Sequence, residues 1–159
     1  MPVAPDAKVA RSTELLVAFD YGQRRIGVAV GNTGTRTATA VGTLPARGVP
    51  DWDAVTRCVR EWTPARLLVG LPYNMDGSET ALTAACRRFA EELSQRYTLP
   101  VELVDERLTS SAAQADLREA RRTGARRRRV RREDVDANAA RLILETWLQE
   151  TNRSVGSAY

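Results

Sequence analysis

The sequence predicts an α/β fold. Its core is a mixed five-stranded sheet, a three-strand antiparallel meander leading into parallel strands, with helices on both faces. Three observations carry this. Short, continuously apolar runs alternate with longer segments whose apolar residues recur every three to four positions. The first two runs are separated only by Tyr21-Gly22-Gln23-Arg24, which joins antiparallel neighbours, whereas the later runs are separated by helical segments, as parallel strands require. Finally, 159 residues make one domain that buries about 68–70% of its unfolded surface, and no repeat or linker divides it.

The elements follow in order. Residues 1–13 read as a flexible arm, and residues 14–150 as the folded domain. Leu15-Leu16-Val17-Ala18-Phe19-Asp20 suits a strand buried on both faces that stops at a carboxylate. Arg25 to Gly31 is the second strand, and the Thr-, Ala- and Val-rich stretch from Thr35 to Leu44 the third. Asp51 caps a helix whose stripe is Trp52, Val55, Val59 and Trp62. Leu67 to Leu71, closed by Pro72, is the fourth strand, and a polar loop from Tyr73 to Ser78 follows it. Leu82, Cys86, Phe89, Ala90 and Leu93 mark the next helix, and Val101 to Val104 the fifth strand, ending at Asp105-Glu106. A helix is expected from about Thr109 to Arg122 with Gly124 as its stop, then a basic loop over 125–132. The last helix is expected from about Asp134 to Glu150, with Val135, Ala139, Leu142, Ile143 and Trp147 on its apolar face; residues 151–159 read as a tail without period.

Composition excludes several chemistries. There is no histidine, so neither a Ser-His-Asp triad nor a Cys-His pair is available. Cys58 and Cys86 are the only cysteines and fall at apolar helical positions, which excludes a zinc cluster and a disulfide framework and fits a reducing compartment. The first 13 residues hold no continuous apolar stretch, and no run reaches the ~18 residues of a membrane span, so a cytoplasmic location away from membranes is expected. Catalysis, if any, falls to carboxylates, arginines and hydroxyls, with an oxygen-ligated metal.

Sites in open α/β sheets lie beyond the carboxyl ends of the strands. Asp20 ends the first strand and Glu106 follows the fifth. A third acid, Asp136, stands three residues before Ala139 and seven before Ile143, which puts it on the inward face of the last helix. Three converging carboxylates repel one another unless a cation joins them, and hard Mg²⁺ or Mn²⁺ is the matching ion. Such a centre supports phosphodiester hydrolysis without histidine. Opposite this acidic edge stands an arginine segment: positions 118, 121, 122, 126, 127, 128, 129, 131 and 132, nine of fifteen, against one acid, Glu119. The local +8 leaves the remainder of a +4 chain net acidic. No aromatic interleaves, so Arg121, Arg122, Arg126, Arg127, Arg128, Arg129, Arg131 and Arg132 are expected to grip a nucleic-acid backbone rather than stack on bases, with residues 123–133 disordered until they do. Arg107 either contacts phosphate or pairs with an acid. Gly22 in Asp20-x-Gly22 allows φ > 0 and close backbone approach to phosphate or metal. That motif occurs in actin-like and sugar-kinase ATPases as well as in RNase H-like nucleases, but the ATPases need two such domains.

Four segments resemble the YqgF/RuvX family in its own order. They are Asp20-Tyr21-Gly22-Gln23-Arg24-Arg25-Ile26-Gly27-Val28-Ala29, Val69-Gly70-Leu71-Pro72-Tyr73-Asn74-Met75-Asp76-Gly77, Asp105-Glu106-Arg107-Leu108-Thr109-Ser110 and Val135-Asp136-Ala137-Asn138-Ala139-Ala140. The resemblance implies an RNase H-like fold and a metal-dependent nuclease with Asp20, Glu106 and Asp136 as its acidic triad. It implies processing of the 5′ end of pre-16S rRNA in ribosome biogenesis or, as the alternative, resolution of four-way DNA junctions. A resolvase cuts two strands and requires a dimer; monomer and homodimer both stay open. A non-catalytic RNA-binding module is the third reading, and it gains nothing from the acids.

Overall fold

A computed structural model of the chain describes residues 13–109 and 129–157. The sheet comprises β1 (Leu15–Tyr21), β2 (Arg25–Asn32), β3 (Thr37–Pro45), β4 (Arg66–Leu71) and β5 (Val101–Asp105), in the order β3-β2-β1-β4-β5. β1, β2 and β3 form the antiparallel meander, and β4 and β5 run parallel to β1. α1 (Trp52–Trp62) leads from β3 to β4, and α2 (Ala81–Tyr97) from β4 to β5. A single 3-10 turn, Glu106–Leu108, follows β5, and α3 (Arg129–Ser157) completes the described chain. Among the described residues no helix is long and apolar enough to cross a membrane.

Local chemistry sets the boundaries. The Asp51 side chain accepts from the Ala54 amide at the start of α1, as a capping aspartate should. Thr80 and Thr83 form a capping box at α2, and Thr83 also donates its hydroxyl to the Pro72 carbonyl. Both helices end on a threonine in the left-handed region, Thr63 at φ 42° and Thr98 at φ 54°.

The two faces of the sheet are covered differently. On one, Val17, Phe19, Tyr21, Ile26, Val28, Leu67, Val69 and Leu71 pack under α1 and α2. Phe89 of α2 sits among three rings there, edge-on to Phe19 at 5.6 Å and stacked on Tyr21 at 4.8 Å and Trp52 at 5.6 Å. On the other, Leu16, Ala18, Ala29, Leu68 and Val104 meet Ala140, Ile143, Leu144 and Leu148 of α3. The C-terminal half of α3 is tied down by Trp147 Nε1 donating to Glu102 on β5 at 3.1 Å and by Arg36 donating to the Leu148 carbonyl at 2.7 Å. Arg66 bridges that Glu102 to Glu14.

The last helix departs from expectation at both ends. It starts at Arg129, so Arg129, Arg131 and Arg132 lie on helical backbone and not in the loop expected over 125–132, and residues 129–133 are helical where disorder was expected. Arginine is among the better helix formers, and a run of charge does not by itself break a helix. It continues to Ser157, past the Glu150 at which the apolar period stops. An apolar period marks where a helix is packed, not where its backbone ends. The expected helix over 109–122, its Gly124 stop, and Arg121, Arg122, Arg126, Arg127 and Arg128 lie outside the described residues.

Candidate active site

Asp20 is the penultimate residue of β1 and pairs across the ladder with Gly27 of β2. By alternation it falls on the face of Leu16 and Ala18, the face that α3 covers. Glu106 opens the turn after β5, and its Oε2 lies 3.0 Å from the position a Cβ on Gly70 of β4 would take. Asp136 is the eighth residue of α3, too far from the helix start to be explained by the helix dipole. Its carbonyl oxygen lies only 2.0 Å from where a Cβ on Gly27 would be, so the helix backbone rests directly on the strand beside Asp20. Gly70 likewise meets Ile143, and Gly31 meets Leu144. Gly27, Gly31 and Gly70 together let α3 approach the sheet more closely than any side chain would permit. All three acids therefore come to one edge and one face. Cys86 of α2 registers two of them: burial first, then the charges of Glu106 and Asp20, push its thiol up to about 12.

The carboxylates themselves do not all converge. Asp136 Oδ2 accepts from Arg25 Nε at 2.7 Å, with the two side chains 22% and 29% exposed. Among the described residues no group of three His, Cys, Asp or Glu side chains is placed to hold a metal ion. The donor set is all oxygen and suits a hard divalent cation. The fit is thus one of donor chemistry, three carboxylates at one sheet edge, with Asp136 held by Arg25.

Arg107 pairs rather than standing free. Its Nε and Nη2 fork onto Asp105, at 3.1 and 2.7 Å, while its backbone N–H donates to the same carboxylate at 2.9 Å. These bonds hold the Asp105 carboxyl below its ordinary pKa. The guanidinium also stacks 4.7 Å from the centre of the Tyr73 ring, and its Nη1 lies close over Gly77, which takes φ +88°. The loop after β4 is thereby stapled to the turn that carries Glu106. Within that loop Asp76 accepts from the amide and hydroxyl of Ser78, which lowers its pKa, and Asn74 donates its backbone N–H to the Ser78 carbonyl and its side-chain amide to the Ser78 hydroxyl. Met75 stands at the tip, 97% exposed.

Gly22 is not among the positive-φ glycines, so the left-handed conformation it would allow is not used; a Cβ there would meet the Arg25 carbonyl at 2.8 Å, so the hairpin turn itself requires its smallness. Arg129, Arg131 and Arg132 lie on the first turn of the helix that carries Asp136. Sequence reasoning missed Arg25 and Tyr73 as site residues. The signal for Arg25 was available: Arg25-x-Gly27-x-Ala29-x-Gly31 places one arginine and three small residues on a single strand face, which marks a seat for a helix with a charge at its rim.

Comparison with known proteins agrees with this architecture. A protein of Coxiella burnetii (strain RSA 331 / Henzerling II) named "Putative pre-16S rRNA nuclease" is 47% identical over 137 residues, 86% of this chain and 93% of that protein. One of the same name from Actinobacillus pleuropneumoniae serotype 5b (strain L20) is 45% identical over 135 residues, covering 84% and 96%. Among solved structures, T. thermophilus RuvC in complex with Holliday junction substrate superposes with a TM-score of 0.50 at 13% identity, over 86% of this chain and 96% of that one, a likeness of fold that identifies the sheet as RNase H-like. The family model of RuvX, described as Holliday junction resolvase, matches residues 14–150 and takes in every acid of the edge, and on that match the chain belongs to the RuvX family.

Proposed function

We propose that the protein is a Mg²⁺- or Mn²⁺-dependent endonuclease that trims the 5′ end of precursor 16S rRNA. The observation that carries the chemistry is the gathering of Asp20, Glu106 and Asp136 at one edge and one face of the sheet, over glycines that admit the third acid's helix. The names of the relatives from Coxiella and Actinobacillus support the RNA substrate. Asp20 and Glu106 would hold the metal from the sheet side and Asp136 from the helix side. The bound ion supplies charge for the attacking and leaving oxygens of phosphodiester hydrolysis. Arg129, Arg131 and Arg132, with Arg121, Arg122, Arg126, Arg127 and Arg128 before them, would grip substrate phosphates without reading bases. Arg107 holds the Tyr73–Gly77 loop beside the site and presents its exposed edge to the same backbone.

The test is cleavage of a precursor rRNA fragment and a four-way DNA junction side by side, with and without Mn²⁺, by the wild type and Asp20→Asn. Cleavage of the precursor that needs metal and vanishes in D20N, with rRNA binding retained, is the expected result. Undiminished cleavage by D20N overturns the metal-site assignment. Cleavage of the junction alone transfers the site to the resolvase reading, which the RuvX family description favours.

A further inference from the structure

We propose that Arg25 is a placeholder cation: it holds the Asp136 carboxylate while no metal is bound, and metal loading exchanges that carboxylate from guanidinium to ion. The inference rests on the assignment of Asp136 as a metal ligand made above.

Four observations carry it. The pair is short, 2.7 Å between Arg25 Nε and Asp136 Oδ2, and only 29% and 22% of the two side chains is exposed, so it is not a casual surface contact. Both main chains are fixed. Arg25 opens β2, paired with Pro45 of β3, and the Asp136 backbone is wedged against Gly27 with no room even for a methyl group. Exchange therefore needs only side-chain rotation, with no movement of strand or helix. The neighbouring cation cannot easily substitute, because Arg107 is already forked onto Asp105. Finally, the Asp136 backbone meets Gly27, the ladder partner of Asp20, so the carboxylate that Arg25 holds belongs to a helix residue seated beside another acid of the same edge.

The physical logic is charge balance. Acids crowded on one edge destabilise each other unless a cation is near. A guanidinium carries a fixed positive charge on a planar fork that matches a carboxylate, so it can hold the acid whenever no ion is bound. Arg25 thus stabilises the empty edge and competes with the ion for Asp136. A guanidinium freed from Asp136 would itself be able to contact substrate phosphate, so metal affinity, and not cleavage rate, is the informative readout.

The experiment titrates Mn²⁺ into the full-length wild type, Arg25→Gln, Arg25→Lys, Asp136→Asn and the R25Q/D136N double variant. Bound ion is followed by electron paramagnetic resonance, and melting is recorded with and without Mn²⁺. R25Q is expected to bind Mn²⁺ about three- to tenfold more tightly, the scale of a part-buried ion pair. It is also expected to melt lower without metal and to gain more from metal than the wild type does. R25K, which keeps the charge without the fork, should fall between. In the D136N background the R25Q effect should vanish. Equal or weaker Mn²⁺ binding by both R25Q and R25K overturns the placeholder role while leaving the metal site standing. Unchanged Mn²⁺ binding by D136N itself instead overturns the ligand assignment, and the placeholder with it.

Discussion

The two faces of the sheet are made by the same strands from opposite kinds of residue. Under α1 and α2, β1 shows Val17, Phe19 and Tyr21, β2 shows Ile26 and Val28, and β4 shows Leu67, Val69 and Leu71. Under α3, β1 shows Leu16 and Ala18, β2 shows Gly27, Ala29 and Gly31, and β4 shows Leu68 and Gly70. Bulk on the first face buries apolar area and supplies stability. Smallness on the second gives up some of that area and obtains proximity, since only a glycine at 27 lets the Asp136 carbonyl come within 2.0 Å of where a Cβ would sit. One face holds the molecule together; the other sets the distance between its acids.

Substitutions on the two faces should therefore fail in different ways. Phe89→Ala removes the ring that three other aromatics surround and should cost about 3–5 kcal/mol of stability by denaturant melt. The molecules that remain folded should bind Mn²⁺ as the wild type does. Gly27→Ala should cost less, about 1–3 kcal/mol, but should lose precursor cleavage and Mn²⁺ binding altogether, because the helix must lift away from β2. If F89A loses metal binding while fully folded, or G27A keeps cleavage, the division of labour is wrong. The smallest effect belongs to Cys58, on the bulky face, whose thiol is pushed up to about 11 by burial and by Glu61. A thiol raised on folding adds stability that is fully present below its unfolded pKa and lost as pH rises through the folded one. Stability should therefore decline from about pH 9 toward 11, and this part of the decline should be absent in Cys58→Ala. An identical alkaline slope in C58A would show that burial does not govern the thiol.

The bulky face was legible in the sequence and the close face only partly so. Strand starts at Leu15, Arg25 and Val101, the Asp51 cap and the meander followed from apolar runs and turn residues, because burial and capping are recorded position by position. The places of Asp20 and Glu106 at strand ends were legible because an apolar run that stops at a carboxylate marks where a buried strand ends. The Arg25–Asp136 pair was not, since it joins residues 111 positions apart and no periodicity encodes a partner. The start of α3 at Arg129 was hidden by the assumption that dense charge means loop. The demand of the hairpin turn on Gly22 was not legible, since the Arg25 carbonyl it must clear is placed by the folded turn.

The span between Arg25 and Asp136 also orders events in time. The β1–β2 hairpin pairs Leu15 with Asn32 and needs only local contacts, so it can form early in synthesis. Glu106 arrives much later, and Asp136 later again, on a helix that must cross β2 and be pinned to β5 through Trp147 before it is seated. A half-made chain thus carries the beginnings of the acidic edge but not its third member. The proposed centre would therefore be complete only once the last helix docks, after every other element of the sheet has been made.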